Sequence, residues 1–321
     1  MIAIQSTHPS SQLHKAWRSN QGLTVLVVVS LVLIVGSSLG LLLDPRSTEL
    51  LGTPAWAKSF KFSVSTLLYG LGLLWILGLA QNRTATRMGG LIGWVLSFEL
   101  GLIVIQATRA TPMHFNYTSP FNTALWAIMT VGIGVMMVGF LVLVVQVWRT
   151  IRTEPVVATA IRLGLLVTAI GLAQGNLMPA PTQAQLEAIT AGQTLAMLGA
   201  HTVGSNSQTP DNGAGLPLLG WSTTHGDLRI GHFVGIHALQ LIPLFGLWLA
   251  RRRGLEQAKK LGLLWIGALG YLGLMLLVTW QALRGQPLLR PDSQTLLVLG
   301  LVLATALVSS LGVLWQAKGK V

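Results

Sequence analysis

The sequence predicts an all-α protein, a polytopic transmembrane helix bundle of about eight spans with both termini in the cytoplasm. Of its 321 residues, 52% are hydrophobic and only 9% are charged, whereas a soluble domain carries about 25% charged residues. The apolar residues occur in runs of roughly 20 or more, which is the length that a helix needs to cross a bilayer. Each long apolar run therefore predicts one transmembrane span.

These runs define a single membrane domain, residues 22–316, with a short cytoplasmic tail at each end, 1–21 and 317–321. The first run is too long for the core of a signal peptide, so no cleavable leader is expected. The chain has no cysteine, which excludes disulfides, thiolate metal sites and cysteine nucleophiles. The predicted spans are 22–43, 58–81, 89–110, 121–148, 156–178, 229–250, 260–284 and 294–316.

The basic residues predict which side of the membrane each loop faces. The formal net charge is +12, but Lys and Arg form short clusters between apolar runs, which is typical of topology signals and not of a nucleic-acid-binding surface. With the N-terminus inside, two thirds of the 21 Lys and Arg residues lie on the cytoplasmic side. We therefore predict a multi-pass protein of a bacterial inner membrane, surrounded by lipid and without a nucleic-acid partner.

The longest loop, residues 179–228, is external in this topology. Residues 181–198 have helical spacing and could form an interfacial helix, whereas residues 201–217 are dense in turn-forming residues. A loop of this length is usually functional or disordered. Because it contains Trp221 and three leucines and continues directly into the sixth span, we expect an ordered lid.

Polar residues occupy the outer halves of three predicted spans. Ionisable side chains are costly in hydrocarbon and usually face a protein interior or a wet cavity. At a rise of about 1.5 Å per residue the three polar stripes lie at similar depths. We therefore expect the second, third and sixth spans to surround one outward-facing cavity, roofed by residues 111–121 and 179–228. The stripes contain Lys58, Lys61 and Tyr69; Glu99, Gln106 and Arg109; and Arg229, His232, His237 and Gln240.

Within this cavity, Glu99 and His237 are the deepest ionisable groups, so we expect them to carry any catalysis. The remaining cations and hydrogen-bond donors suit a small anionic or quinone-like ligand. The structural alternative is that the histidines hydrogen-bond between helices and that the lysines extend to the membrane interface. The expected ligand-binding residues are Lys61, Tyr69, Gln106, Arg109, Arg229, His232 and Gln240.

A metal ion or a haem is a second hypothesis for the site. His232 and His237 are five residues apart, so they diverge by about 140° on a regular helix and cannot share one ion. A metal site would instead combine His237 and Glu99 with a loop histidine, His114 or His201, a set that suits zinc or iron. A haem would need only one axial histidine.

Three blocks of sequence resemble uncharacterised bacterial polytopic inner-membrane proteins of unknown function. The blocks are Lys61-Phe62 with Tyr69, His114-Phe115-Asn116 with Pro120-Phe121, and Gly220-Trp221 with the polar residues of the sixth span up to Gln240. The similarity extends over most of the chain. It implies an inner-membrane location but no particular activity.

Three classes of function fit these features. We favour a membrane enzyme or redox protein, because polar groups confined to the outer half indicate an open-sided site. A transporter is the main alternative. Lys61-Phe62 and Tyr69 in the second span occupy positions equivalent to His232-Phe233 and Gln240 in the sixth, as expected for a parallel repeat of four spans, which occurs in transporters. A sensor, assembly factor or structural subunit is the third class.

The topology is testable with reporter fusions. Fusions near residues 85, 150 and 255 should report a cytoplasmic location, and fusions near residues 50, 115 and 210 an external one, because basic loops stay inside. An external signal from the 251–260 cluster would contradict the predicted orientation.

Overall fold

The computed structural model describes residue 17 and residues 20–315, so the predicted tails 1–21 and 317–321 lie almost entirely outside the described residues. In this part the chain is all-helical apart from two strands of two residues each. Eight of the helices are long and apolar enough to cross a membrane, as predicted. They are α1 (Gln21–Leu43), α2 (Ala57–Ala80), α3 (Arg83–Thr108), α4 (Pro120–Thr150), α5 (Pro155–Gln174), α7 (Leu228–Ala250), α8 (Gln257–Leu283) and α9 (Ser293–Trp315); the short helix α6 (Gln183–Thr190) lies between α5 and α7.

The helices begin where a side chain satisfies the free backbone amides of the first turn. Asn82 accepts from the amide of Ala85 and starts α3 six residues before the predicted boundary. Ser119 and Glu154 cap α4 and α5 in the same way, each followed by proline, whose missing amide costs nothing at this position. These caps explain why the observed spans extend beyond the apolar runs.

The eight long helices form two groups of four with the same packing pattern. In the first group, α1 packs on α2 and α3, α2 packs on α3, and α3 packs on α4. In the second, α5 packs on α7 and α8, α7 packs on α8, and α8 packs on α9. The groups meet mainly where α2 packs on α7 and α4 on α5. The packing therefore repeats after four spans, as the few matched residues of the second and sixth spans suggested.

Glycines allow the closest helix contacts in both groups. A Cβ atom on Gly235 of α7 would lie 2.3 Å from the Cα atom of Gly171 on α5. In the first group, a Cβ atom on Gly22 of α1 would lie 2.1 Å from the carbonyl oxygen of Gly90 on α3. Small residues at such crossings let backbones approach and gain van der Waals contact, the main attraction between helices in lipid.

The long loop between α5 and α7 is ordered, as expected, but its helix is shorter than predicted. Helix α6 covers eight residues and begins with a capping box formed by Thr182 and Gln185. Strands β1 (Thr202–Val203) and β2 (Gly226–Asp227) pair antiparallel and hold the middle of the loop against the start of α7. The loop therefore returns to the bundle before the sixth span begins.

We expect Gly235→Ala to lower the free energy of unfolding by about 1–3 kcal/mol, because the added methyl group meets backbone atoms that must move. The matched control is Gly300→Ala on α9, where nothing lies within 4 Å of the added atom. Thermal unfolding of the purified variants in detergent measures the difference. Equal stability of the two variants would contradict the close α5–α7 contact.

Candidate ligand-binding site

One end of the bundle is closed by the connections α1–α2, α3–α4, α5–α7 and α8–α9. Following the predicted topology, we call this the outer end. A small cavity of about 50 Å³ lies there, between the first turns of α2, the last turns of α3 and the loops above them. We call it the outer chamber. Its polar lining includes Lys58, Gln106, Thr111, His114 and His201.

The outer chamber contains a histidine that is held by a buried carboxylate. Nδ1 of His201 donates to Oδ2 of Asp211 over 2.5 Å. Asp211 also accepts from the backbone amides of His201 and Thr202 and from the Thr202 hydroxyl. A carboxylate that accepts several hydrogen bonds is fixed in place and in turn fixes the ring and tautomer of its histidine partner. Nε2 of His201 therefore carries the free lone pair.

His114 faces His201 across the chamber, with ring centroids 5.9 Å apart. Paired backbones bring the two loops together: the amide of Leu198 donates to the carbonyl of Phe115, and Asn116 pairs with Met197. Phe115 has a φ of 59°, a left-handed conformation that costs a bulky residue roughly 1–2 kcal/mol. Packing of its ring against Trp126 and His201 holds this turn, and His114 is directed inward as a result.

Lys58 places its amino group in the same chamber. Its ammonium group lies 5.5 Å from the centre of the Phe62 ring, and the Phe62 ring in turn contacts His114 edge-on at 6.0 Å. In the described part of the chain Lys58 forms neither a hydrogen bond nor an ion pair. From the sequence we expected Lys58 to be largely solvated at the rim of the site and replaceable; in the structure it is half-buried and lines the chamber.

The two loop histidines are neutral at pH 7. Burial, reinforced by the nearby positive charge of Lys58, holds the pKa of His114 well below its ordinary value. Burial also lowers the pKa of His201 and outweighs the opposing effect of Asp211. Burial acts to raise the pKa of Asp211, but its contacts with His201 and the charge of Arg229 hold that pKa well below the usual range. Asp211 is therefore ionised.

Lys61 and Arg229, predicted to bind a ligand, instead hold the turn at residues 219–220. Nζ of Lys61 donates to the carbonyl of Leu219 over 2.7 Å, and Nη2 of Arg229 donates to the carbonyl of Gly220 over 2.5 Å. Arg229 also pairs with the fully buried carboxylate of Asp227 at 2.6 Å. Their donors are thus largely committed to the loop.

Gln106 and Arg109 are engaged in a similar way between α3 and α4. Arg109 donates to Oε1 of Gln106 over 2.6 Å and to Oδ1 of Asn122 over 2.8 Å, and Gln106 donates to Asn122 and to the carbonyl of Pro112. The Arg109 guanidinium also lies 4.7 Å from the Phe121 ring centre. This network supports the loop that presents His114, while Gln106 retains a place in the chamber wall.

The polar residues of α7 lie outside the outer chamber. Nδ1 of His232 donates to the carbonyl of Gly171 on α5 over 2.8 Å, which is the interhelical bond of the structural alternative. His237 donates weakly to Gln240 at 3.3 Å, and Gln240 lies beside Gly72 of α2. Nε2 of His237 and the hydroxyl of Tyr69 on α2 are buried and have no hydrogen-bond partner among the described residues.

Glu99 lies in the contact between α3 and α4. It is 3% exposed, and its carboxyl group occupies the space left by Gly132, where an added Cβ atom would be 2.2 Å from Oε1. Neither carboxyl oxygen has a hydrogen-bond partner in the described part of the chain. In the described part of the chain no extensive contact joins α3 to α7. The cavity that the structure shows lies between α2, α3 and the loops, and neither Glu99 nor His237 lines it.

The four predicted metal ligands are therefore not brought together. His114 and His201 are neighbours, but Glu99 and His237 lie in separate helix contacts, and residues 20–315 contain no group of three or more His, Asp or Glu side chains able to hold an ion. Sequence reasoning missed Asp211. The sequence carried only a weak indication of Asp211, since it is a single acidic residue in a turn-rich segment that also contains a histidine.

No family model, curated protein or solved structure matches this chain. The functional argument therefore depends on the geometry of the site.

The neutral loop histidines predict that acid weakens the fold. An unfolded histidine binds a proton below about pH 6.5, whereas the folded chain keeps His114 and His201 neutral to lower pH. Below about pH 6.5 the unfolded state therefore binds more protons than the folded state. The contribution of these histidines to the free energy of unfolding is complete above about pH 6.5 and decreases as the pH falls below it. We expect the thermal midpoint to drop between pH 7.5 and pH 5.

The double variant His114→Gln, His201→Gln should reduce this pH dependence. The control is His225→Gln, since His225 does not line the chamber and its ring bonds to the hydroxyl of the neighbouring Thr224. A midpoint that rises in acid, or a slope unchanged in the double variant, would contradict the assignment.

Proposed function

We propose that the chain binds a small anionic or carbonyl-bearing ligand in the outer chamber and acts on it as a membrane enzyme. In this proposal Lys58 holds negative charge on the ligand, while His201 exchanges a proton with it. Asp211 keeps the His201 ring in position, and His114 completes the polar wall. The site faces the external side of a bacterial inner membrane, in keeping with the distribution of basic residues.

The observation that carries the proposal is the difference between Lys58 and its neighbouring cations. Arg229 is neutralised by Asp227, and Lys61 is bonded to the loop carbonyl of Leu219. Lys58 is half-buried, lines the chamber and has no such partner in the described residues. A ligand with negative charge or strong acceptor oxygens would supply the missing interaction.

The Asp211–His201 pair supports acid–base chemistry. A histidine whose Nδ1 proton is bonded to a carboxylate presents Nε2 as a base, and the carboxylate stabilises the ring once it accepts a proton. Because the pKa of His201 is lowered by burial, the free lone pair is present at neutral pH. The residue is thus equipped to take a proton from a bound hydroxyl or water.

The size and charge of the outer chamber limit the other candidates. About 50 Å³ accommodates a small ion or a few water molecules, not a haem, and a quinone ring would require the 44–56 loop to move. A carboxylate-oriented histidine is also typical of metal sites, but the amino group of Lys58 in the same chamber opposes a divalent cation. Small anions therefore fit better than the metal, haem or quinone-like ligands expected from the sequence.

Transport of a small anion is the second candidate. The repeated packing of the two groups of four helices supports it, because parallel repeats are frequent in transporters. The partnerless polar atoms of Tyr69 and His237 near the contact of the two groups would then belong to the pathway. Below them the first core cluster is apolar, with Leu73, Ile76 and Phe140 fully buried, which favours the enzyme.

The test is a thermal-shift titration of detergent-purified protein with phosphate and acetate as probes and chloride as the reference, together with an absorption spectrum and metal analysis. We expect a probe oxyanion to raise the midpoint of the wild-type chain. Lys58→Gln and His201→Gln should weaken its apparent affinity about tenfold or more, because each removes a charged or charge-forming partner. Glu99→Gln, at a residue that does not line the chamber, should leave it unchanged.

Three results would overturn the proposal: stabilisation by neither oxyanion, an effect that survives Lys58→Gln, or one that is lost in Glu99→Gln. A stoichiometric metal that is lost in His201→Gln would restore the metal hypothesis. Uptake of the probe into proteoliposomes, abolished by Lys58→Gln, would favour the transporter.

A further inference from the structure

A second cationic cavity lies at the opposite end of the bundle, where α7 ends. Its volume is about 290 Å³, and it is lined by Leu244, Leu247, Trp248, Arg251 and Arg252. We call it the arginine groove. It is independent of the outer chamber, because α7 runs the length of the bundle between them.

The polar part of the arginine groove is formed by two exposed arginines. The guanidinium group of Arg252 lies 4.2 Å from the centre of the Trp248 ring, which in turn stacks on Phe245 at 5.8 Å. This stacking restricts the arginine and leaves its donors at the edge of the ring free. Neither Arg251 nor Arg252 forms a salt bridge or side-chain hydrogen bond in the described part of the chain. Lys260, by contrast, is committed to the carbonyl of Ala250.

The apolar part of the groove is a lipid-facing stripe of α7. Leu241, Leu244 and Trp248 are spaced three and four residues apart, so they lie on one face of the helix, and each is about half-exposed, at 51%, 58% and 49%. Leu247 also lines the groove and packs against a core cluster that contains residues of both groups of helices. The groove therefore lies beside the junction of the two groups, with charge at one end and hydrocarbon-facing side chains along its length.

We propose that the arginine groove binds an acidic phospholipid. The phosphate would lie between Arg251 and Arg252, and an acyl chain would follow Leu241, Leu244 and Trp248. Charge complementarity decides the class of ligand: two unpaired guanidinium groups suit a phosphate, which arginine binds through paired donors. The apolar stripe favours a lipid over free phosphate, because only a lipid has an acyl chain that would cover these exposed apolar side chains. Basic residues near a membrane surface contribute about 1 kcal/mol each to anionic lipid binding.

The experiment compares the purified full-length chain in detergent with added phosphatidylglycerol, phosphatidylcholine or inorganic phosphate. Native mass spectrometry counts the lipids retained, and thermal unfolding measures stabilisation. We expect retention of phosphatidylglycerol in preference to phosphatidylcholine. The double variant Arg251→Gln, Arg252→Gln should bind phosphatidylglycerol about tenfold or more weakly, since two charges of this size are removed.

The matched control is Arg253→Gln, which removes an adjacent charge that does not line the groove. It should bind almost as the wild-type chain does, while Leu244→Gln should weaken phosphatidylglycerol without affecting inorganic phosphate. Equal retention of phosphatidylglycerol and phosphatidylcholine would overturn the proposal. So would an equal loss of phosphatidylglycerol binding in Arg253→Gln and in the double variant, or complete displacement of phosphatidylglycerol by inorganic phosphate. Circular dichroism distinguishes lost binding from lost folding, and a folded double variant with unchanged phosphatidylglycerol binding also refutes the site.

Discussion

The outer end of this protein depends on satisfying backbone polar groups with a few buried side chains. A loop of about 50 residues packed on a membrane bundle leaves many amides and carbonyls away from water, and each unpaired one is costly. Gln185, which is fully buried, accepts from the amide of Gly199 and donates to three loop carbonyls. In the later part of the loop, Asp211 accepts from the amide of His201, and Asp227 accepts from the amide of Ser222. The outer chamber exists because these residues order the loops around it.

The same need to pair polar groups divides the cations of the outer end into those with a hydrogen-bond partner and one without. Arg109, Lys61 and Arg229 donate to loop or side-chain oxygens, and this leaves Lys58 as the half-buried cation without such a partner in the described residues. Whether one of these cations has a structural role thus depends on whether it already donates a hydrogen bond to the protein, and not on whether it is a lysine or an arginine. The bonded side chains, although polar, are therefore poor candidates for contact with a ligand.

The two ends of the bundle use positive charge differently. At the outer end the charge is enclosed with histidines under ordered loops, which is suited to a specific small solute. At the other end the arginines are exposed beside an apolar helix face, which is suited to a membrane component. Both sites lie near the contact between the two groups of four helices. Small residues such as Gly171 and Gly235 allow tight packing within a group, while the contact between groups is more limited.

The sequence by itself determined the number of spans and the approximate position of each, because both depend on local hydrophobicity. It also indicated the residue types of a polar site. Only the tertiary structure decided which of them meet. Helical spacing placed Glu99 and His237 at compatible depths but could not show that α3 packs on α4 and away from α7. The pairing of His201 with Asp211, and of their loop with His114, depends on long-range backbone contacts that no local pattern encodes.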